Sequence, residues 1–445
     1  MSRSRIELAG AAPGTRRRDV LRALALGAAA GTAPWREALA AAPAADRRID
    51  AIEVVRVRGR RAIRGAHQQF QSHPSHVWGP PRGYQEPADA PAVLTPVSAL
   101  YVRARTKGGI EGLYGPIDAE VVPVLLRDLR PFLVGRDALA VEELWDRMHR
   151  QNRHGRAGHF MMATSAADNV LWDVRGRLLG VPVFRLLGGG RGRVQVYASC
   201  LGFSLEPGRA EEKARALRDQ GFRAQKWFLA HGPAEGRSGL LENVALVRRL
   251  REAVGEETDL MFDAFMGWDL PYALAWAKEA EPFSPRWIEE AFPPDGMESF
   301  AALRAATTVP VASGEHFYGR WEVERYLEAK ALHVVQADPE WCGGTSELVR
   351  IAALASAHDA HLVPHGHSLH AALHVVASQS PATCPMGEYL LVKMALADHP
   401  WYHGHFEREP LRLEKDEVVL SEAPGFGIAL DPARVEGQEM VAAPG

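Results

Sequence analysis

The chain reads as an α/β protein, a (β/α) barrel set behind a small α+β domain. Three observations predict this. Short apolar runs recur every 23 to 27 residues, and each has an ionisable residue at its C-terminal end: LMFDAF with Asp263, RWIEEAF with Glu289, PVASGEHF with Glu315, HVVQADPEW with Asp338, HLVPHGHS with His365 and CPMGEYL with Glu388. Helix-patterned residues fill the gaps, which makes each run plus gap a βα unit of a parallel sheet. At 445 residues and 47% hydrophobic content, the chain is long enough to bury a full core in two domains.

The first 44 residues are of another kind. Arg16-Arg17-Arg18-Asp19-Val20-Leu21-Arg22 leads into the apolar stretch Leu21–Ala33, followed by Ala38-Leu39-Ala40. A basic region, a short apolar region and an A-x-A site read as a signal peptide. The paired arginines resemble a twin-arginine export signal, with Val20 where Phe is usual. The expectation is export to the periplasm or beyond; without a working signal the protein would stay cytoplasmic. The formal net charge of −3 gives no reason to expect a nucleic-acid partner. No apolar run reaches the length of a membrane span. Cys200, Cys342 and Cys384 are too few and too scattered for a disulfide framework or a zinc cluster.

From Ile49 the elements follow in order. IDAIEVVRVRG reads as a strand, Ala66–Pro91 as a long loop rich in His, Pro and Gly, and Ser98–Thr106 with Ile110–Tyr114 as a hairpin about Lys107-Gly108-Gly109. Residues 117–150 carry helical spacing, as does Ala163–Leu179, stopped by Gly180-Val181-Pro182. Barrel strands are expected at Val194–Cys200, Ala224–Phe228, Leu260–Phe265, Arg286–Phe292, Val309–Gly314, His333–Ala337, His361–Val363 and Met386–Leu391. Helices are expected at Glu211–Gln220, Leu240–Ala253, Leu270–Ala280, Trp321–Ala329 and Thr345–His358. The α+β domain would cover 49–160 and the barrel 161–400. A C-terminal segment, 401–445, would return its strand-like part Leu411–Leu430 to the N-terminal domain.

Polar groups at successive strand ends of such a barrel converge on its C-terminal mouth, where these folds do their chemistry. Asp263, Glu289 and Glu315 come from three consecutive strands, and three hard anionic oxygens suit Mg²⁺. Strand alternation sends one of Glu289 and Glu290 to the mouth and the other toward the helices. Asp338 at one strand end can fix the tautomer of His365 at the next and raise its basicity, making a general base. His316 faces away unless its strand has ended, in which case acid catalysis is open to it. These ingredients suit removal of a proton α to a carboxylate, with a divalent cation stabilising the enediolate. Glu388, if protonated in so anionic a site, could hydrogen-bond the same charge. Expulsion of a β-hydroxyl gives dehydration; return of the proton gives epimerisation. The loop Ala66–Pro91, with His73, His76, Trp78 and Arg82, is placed to close over the mouth.

These strand ends, together with Ser165–Gly189 (SAADNVLWDVRGRLLGVPVFRLLGG) and Pro424–Asp431 (PGFGIALD), resemble the enolase superfamily and, within it, the mandelate racemase group. The resemblance implies a modified (β/α)₇β barrel under an α+β capping domain. It also implies Mg²⁺ held by Asp263, Glu289 and Glu315, an Asp338–His365 dyad, and Glu388 as hydrogen-bond donor. Family racemases carry Lys-x-Lys on the second barrel strand; here Lys226 is followed by Trp227 and Phe228, so a second base is missing. EWCGGTSE, PHGHS and the insertion Leu229–Gly239 resemble the rhamnonate dehydratase subgroup, which dehydrates sugar acids and keeps a His at the position of His316. The departures are Ala291-Phe292-Pro293 after Glu289-Glu290, and His367 in place of Ser. The expected activity is dehydration of an aldonate or aldarate to a 2-keto-3-deoxy acid. Epimerisation or cycloisomerisation, with Lys226 reaching the opposite face, is the alternative enzyme reading, and a sugar-acid binding protein the non-enzymatic one. A small-molecule partner and a homo-oligomer are expected.

Overall fold

The computed structural model describes residues 46–64, 72–78, 91–395, 398 and 402–442. The twin-arginine-like segment and Arg82 lie outside the described residues. No helix among them is long and apolar enough to cross a membrane.

The N-terminal cap is built on strands β1 (Ile49–Ile63), β2 (Val93–Thr106) and β3 (Glu111–Tyr114), an antiparallel meander in register from Ile49 opposite Thr106 to Ile63 opposite Val93. Helices α1 (Val141–Gln151) and α2 (Gly158–Leu179) pack against it. Helix α1 has Glu142 and Glu143 in its first turn and His149 and Arg150 in its last, which complements the helix dipole. It buries Leu144, Trp145 and Met148. Helix α2 is nearly all buried, from Phe160 to Gly176, and ends where Gly180 takes φ +70°, a left-handed cap open to glycine at little cost. Its Asp173 carboxylate accepts from the Leu113 amide at 2.9 Å, the Phe426 amide at 2.7 Å and Arg177 Nε at 2.6 Å, tying strand, helix and tail together.

The barrel strands are β4 (Arg193–Ser199), β5 (Ala224–Phe228), β6 (Asp259–Asp263), β7 (Trp287–Glu289), β8 (Val311–Ser313), β9 (Val334–Val335), β10 (His361–Leu362) and β11 (Gly387–Leu390). Parallel pairing runs without a break from β4 to β10, and β11 pairs with β4 on its other side. Between them lie α3 (Arg209–Asp219), α4 (Gly236–Val254), α5 (Leu270–Ala280), α6 (Met297–Ala306), α7 (Arg320–Glu328), α8 (Thr345–Ala357) and α9 (His370–Ser378). Helix α5 shows the local logic: the Asp269 side chain accepts from the Tyr272 amide at 2.9 Å, with proline in the first turn. The fold is the modified (β/α)₇β barrel under an α+β cap.

Two boundaries differ from the sequence reading. The expected cap–barrel division at residue 160 falls inside α2, whose apolar residues belong to the cap's core; the barrel sheet begins at Arg193. The tail also divides. Strands β12 (Arg412–Glu414) and β13 (Glu417–Val419) form a hairpin that extends the barrel sheet at β4, with Val418 opposite Val194. Only the later part returns to the cap, through Phe426 and Ile428 in its core and β14 (Gly437–Met440) beside β1. The hairpin's alternating pattern looks the same for either sheet, so the sequence could not choose between them.

Candidate active site

One interior side chain from each barrel strand, or from the residue next to it in the case of Val363 and Met386, forms a floor: Tyr197, Ala224, Met261, Trp287, Ala312, Val334, Val363 and Met386. Side chains on one face of a strand repeat every second residue. Two residues on from these floor positions come Ser199, Lys226, Asp263, Glu289, Gly314, Gln336, His365 and Glu388. This second layer stands one pleat nearer the mouth and holds most of the residues the sequence singled out.

Lys226 is its hub. The Nζ donates to Glu289 and lies 3.2 Å from Asp263 Oδ2 and 2.9 Å from Glu388 Oε1, all buried. Burial alone would discharge the amine, but Glu289, Glu388 and Asp263 together hold it above its ordinary value. Trp287 Nε1 donates to the other Glu289 oxygen at 2.9 Å, and the Phe265 amide to Asp263 Oδ1 at 2.8 Å. Burial opposes the charge on Glu388, yet Lys226 and His365 outweigh it and bring its carboxyl down to about 2. This corrects the expectation of a protonated Glu388: the lysine beside it keeps it ionised. Burial, with Asp263 and Glu388, pushes the Glu289 carboxyl up to about 8 against the pull of Lys226, and burial first of all raises Asp263 and Glu290 as well.

At the third ligand position the layer has no side chain. Gly314 takes φ +124°, and a Cβ there would lie 3.2 Å from the Gln336 amide nitrogen. The chain leaves the pleat at this point, and Glu315, one residue on, supplies the carboxylate. Because β8 ends at Ser313, His316 stays at the mouth, with Nε2 3.4 Å from Glu315 Oε1.

Glu290 breaks the alternation rule. Its φ of +45° turns the chain after β7, so its carboxylate joins the same buried group as Glu289 rather than facing the helices. Five carboxylates, those of Asp263, Glu289, Glu290, Glu315 and Glu388, thus crowd one end of the barrel, and Lys226 pairs with three of them, Asp263, Glu289 and Glu388. Both Glu290 oxygens are buried without a hydrogen-bond partner among the described residues. Such an excess of hard oxygens fits a divalent cation.

The dyad forms as expected. His365 Nδ1 lies 2.5 Å from Asp338 Oδ2, so the ring donates there and Nε2 faces the site, 3.8 Å from Glu315 Oε2 and 3.9 Å from Glu388 Oε2. Burial would lower the imidazole, but Glu315, Glu388 and Asp338 prevail and raise it to about 9. The Glu340 amide donates to Asp338 Oδ1 at 2.6 Å, and the Gly366 amide to Glu388 Oε2 at 3.1 Å. The Trp341 indole stacks on both His316 and His365, with centroids 5.2 and 5.1 Å away.

Helix α2 of the cap fixes the segment that carries Asp338. Asn169 donates to the Pro339 carbonyl at 3.0 Å and accepts from the Thr345 amide at 2.8 Å. Asp168 accepts from the Ser346 amide and hydroxyl at 2.8 and 2.7 Å. Tyr114 of β3 and Ser368 both donate to Glu340, joining cap, dyad segment and histidine loop. The described part of the His-rich loop lies at the mouth as well: the Ser72 amide donates to the Leu229 carbonyl at 2.7 Å, and the His73 ring meets Phe265.

Sequence reasoning missed Gln336, Glu340 and Trp341, all inside a motif already singled out, and Tyr114, which carried no signal. Gln336 is buried in the second layer, with neither its amide nitrogen nor its oxygen paired among the described residues.

Comparison with known proteins agrees with this geometry. Residues 209–434 match the family described as enolase C-terminal domain-like, and residues 92–188 the mandelate racemase / muconate lactonizing enzyme N-terminal domain. The L-rhamnonate dehydratase of Saccharopolyspora erythraea is 33% identical over 376 residues, 82% of this chain and 93% of that protein. The crystal structure of L-rhamnonate dehydratase from Gibberella zeae superposes with a TM-score of 0.73 at 28% identity, covering 87% of this chain and 95% of that one. A second structure of the Gibberella zeae enzyme, complexed with Mg, gives 0.71 at 26% identity over the same shares. The 3,6-anhydro-D-galactonate cycloisomerase from Zobellia galactanivorans gives 0.67 at 26% identity, covering 88% and 100%. The chain belongs to the enolase superfamily, in its mandelate racemase / muconate lactonizing enzyme group.

Proposed function

We propose that this protein is a Mg²⁺-dependent sugar-acid dehydratase, a hydro-lyase that converts an aldonate or aldarate to its 2-keto-3-deoxy acid. The observation that carries the reading is His365: Nδ1 is fixed by Asp338, and Nε2 is presented between Glu315 and Glu388. Asp263, Glu289 and Glu315 would hold the cation. When bound, the cation supplies positive charge to the substrate carboxylate as its α-proton leaves.

His365 Nε2 takes the C2 proton. The electron pair of the broken C–H bond forms the C2–C3 double bond, and the 3-OH departs as water with a proton from His316 or from His365. Trp341 keeps both imidazoles on one wall of the site, which suits a base and an acid acting on adjacent carbons. The enol product then ketonises. Lys226, tied to three carboxylates and held protonated, neutralises the ligand cluster. That role and the apolar Phe228 beside it argue against the second base that epimerisation needs.

The test is a panel of aldonic and aldaric acids with Mg²⁺, read for 2-keto-3-deoxy product, with an EDTA arm and His365→Asn. An EDTA-sensitive product that vanishes in the variant is expected. Full turnover in His365→Asn, or deuterium entering recovered substrate with inversion and no dehydration, would sink the reading. Export through residues 1–44 belongs to the same proposal. It is tested by fractionating cells that make the full chain with Arg16, Arg17 and Arg18 intact or replaced by Lys.

A further inference from the structure

Glu289 and Glu290 are neighbours in sequence and opposite in circumstance. Both Glu289 oxygens are engaged, one by Lys226 and one by Trp287. Glu290 is 1% exposed, and neither of its oxygens has a hydrogen-bond partner among the described residues. Burying a carboxylate without a partner costs several kcal/mol or more, a cost that a ligand from outside the chain relieves. The orphaned group faces other donors of the right kind. Its Oε1 lies 3.9 Å from His316 Nε2, and one ligand atom each from Glu290, Glu315 and His316 fall within 4.8 Å of one another. Lys226 contacts Asp263, Glu289 and Glu388, so it serves the other side of the cluster.

We propose that Glu290 is a further carboxylate of the divalent-cation site, binding the ion together with Glu315 on the side bordered by His316. The proposal rests on the metal reading given above and adds a residue to it. A cation held by Asp263, Glu289 and Glu315 would also relieve the orphaned Glu290 oxygens, since a six-coordinate oxygen shell has room for another carboxylate.

The experiment is a Mn²⁺ titration followed by electron paramagnetic resonance of the free ion, on the parent, Glu290→Gln, Glu315→Gln and Glu290→Asp. Thermal melts are run with and without the ion. Glu290→Gln should bind Mn²⁺ roughly tenfold or more weakly, as should Glu315→Gln. Its metal-free melting temperature should not fall below the parent's, because the carboxyl it replaces has no hydrogen-bond partner among the described residues to lose. Glu290→Asp, with the carboxylate drawn back by one methylene, should bind with intermediate affinity. A Glu290→Gln affinity within about twofold of the parent overturns the proposal, as does a parent that binds no Mn²⁺. Should Glu290→Gln fail to fold, undiminished affinity in Glu290→Asp overturns it equally. The acid panel is read on the parent alone. A parent that binds Mn²⁺ but turns over no acid sinks the dehydratase reading and leaves the Glu290 comparison to decide its own question.

Discussion

Asp338 Oδ2 lies 2.5 Å from His365 Nδ1, and its other oxygen is pinned by the Glu340 amide at 2.6 Å. The aspartate therefore cannot turn away from the imidazole without losing a backbone bond. Asp338→Asn should lower kcat by about 10²- to 10⁴-fold, with KM little changed. Asp338 is one of the charges that raise His365, so the acid limb of the kcat/KM profile should also move to lower pH in the variant. An unmoved limb would mean that Asp338 does not tune the base.

Lys226 offsets three buried carboxylates with one charge. Lys226→Met should destabilise the metal-free protein by about 3–5 kcal/mol, since removing one partner leaves the others uncompensated. Mg²⁺ should recover much of that loss. Denaturant melts with and without Mg²⁺ measure both, and a variant as stable as the parent without metal would refute this role.

Gln336 stands in the functional layer with its side-chain amide unpaired among the described residues. A bound hydroxy acid would pair it, so Gln336→Leu should raise KM by about tenfold while kcat changes less. The metal-free melting temperature should rise, because a buried unsatisfied group is gone. Steady-state kinetics beside a thermal melt decide this; an unchanged KM would separate Gln336 from the substrate.

Glu340 predicts a pH dependence of stability. Burial, and after it the charge of Asp338, raise its carboxyl from 4.5 to about 8. The unfolded chain releases this proton near the ordinary value while the folded protein keeps it. Stability from this group is therefore full at low pH, falls as pH climbs from 4.5 to about 8, and levels off above. Glu340→Gln, which cannot titrate, should flatten that slope in melting temperatures taken across the window. An identical slope would place the titration elsewhere.

Much of this was legible in advance where one physical rule acted alone. The run AQKWF gives β5 its observed bounds, and Leu270–Ala280 gives α5 its own, because Asp269 and Pro271 mark the start. Strands β9 and β10 are two residues each, so only the 23- to 27-residue spacing of strand-end groups disclosed them. The rest turned on events a one-dimensional pattern does not carry. Glu290 escaped alternation through a single left-handed residue, and Glu388 stays charged because Lys226, 162 positions earlier, lies against it. Helical spacing over Ala163–Leu179 does not single out Asp168, Asn169 and Asp173, which are buried links between cap, barrel and tail.

The floor and the layer above it also set how such a site can change over time. Each strand offers one position to the chemistry, two residues beyond an apolar one that keeps the barrel filled. Replacing a residue at the upper position leaves the apolar floor beneath it untouched, although Lys226 shows that upper positions also lean on one another. Deleting a single residue from a strand would instead swing the acid outward and bring a core side chain to the mouth. Tolerance of substitution and intolerance of frame are therefore the same property of the pleat, and Glu290, Glu315 and His316 reach the mouth only because their strands have already ended.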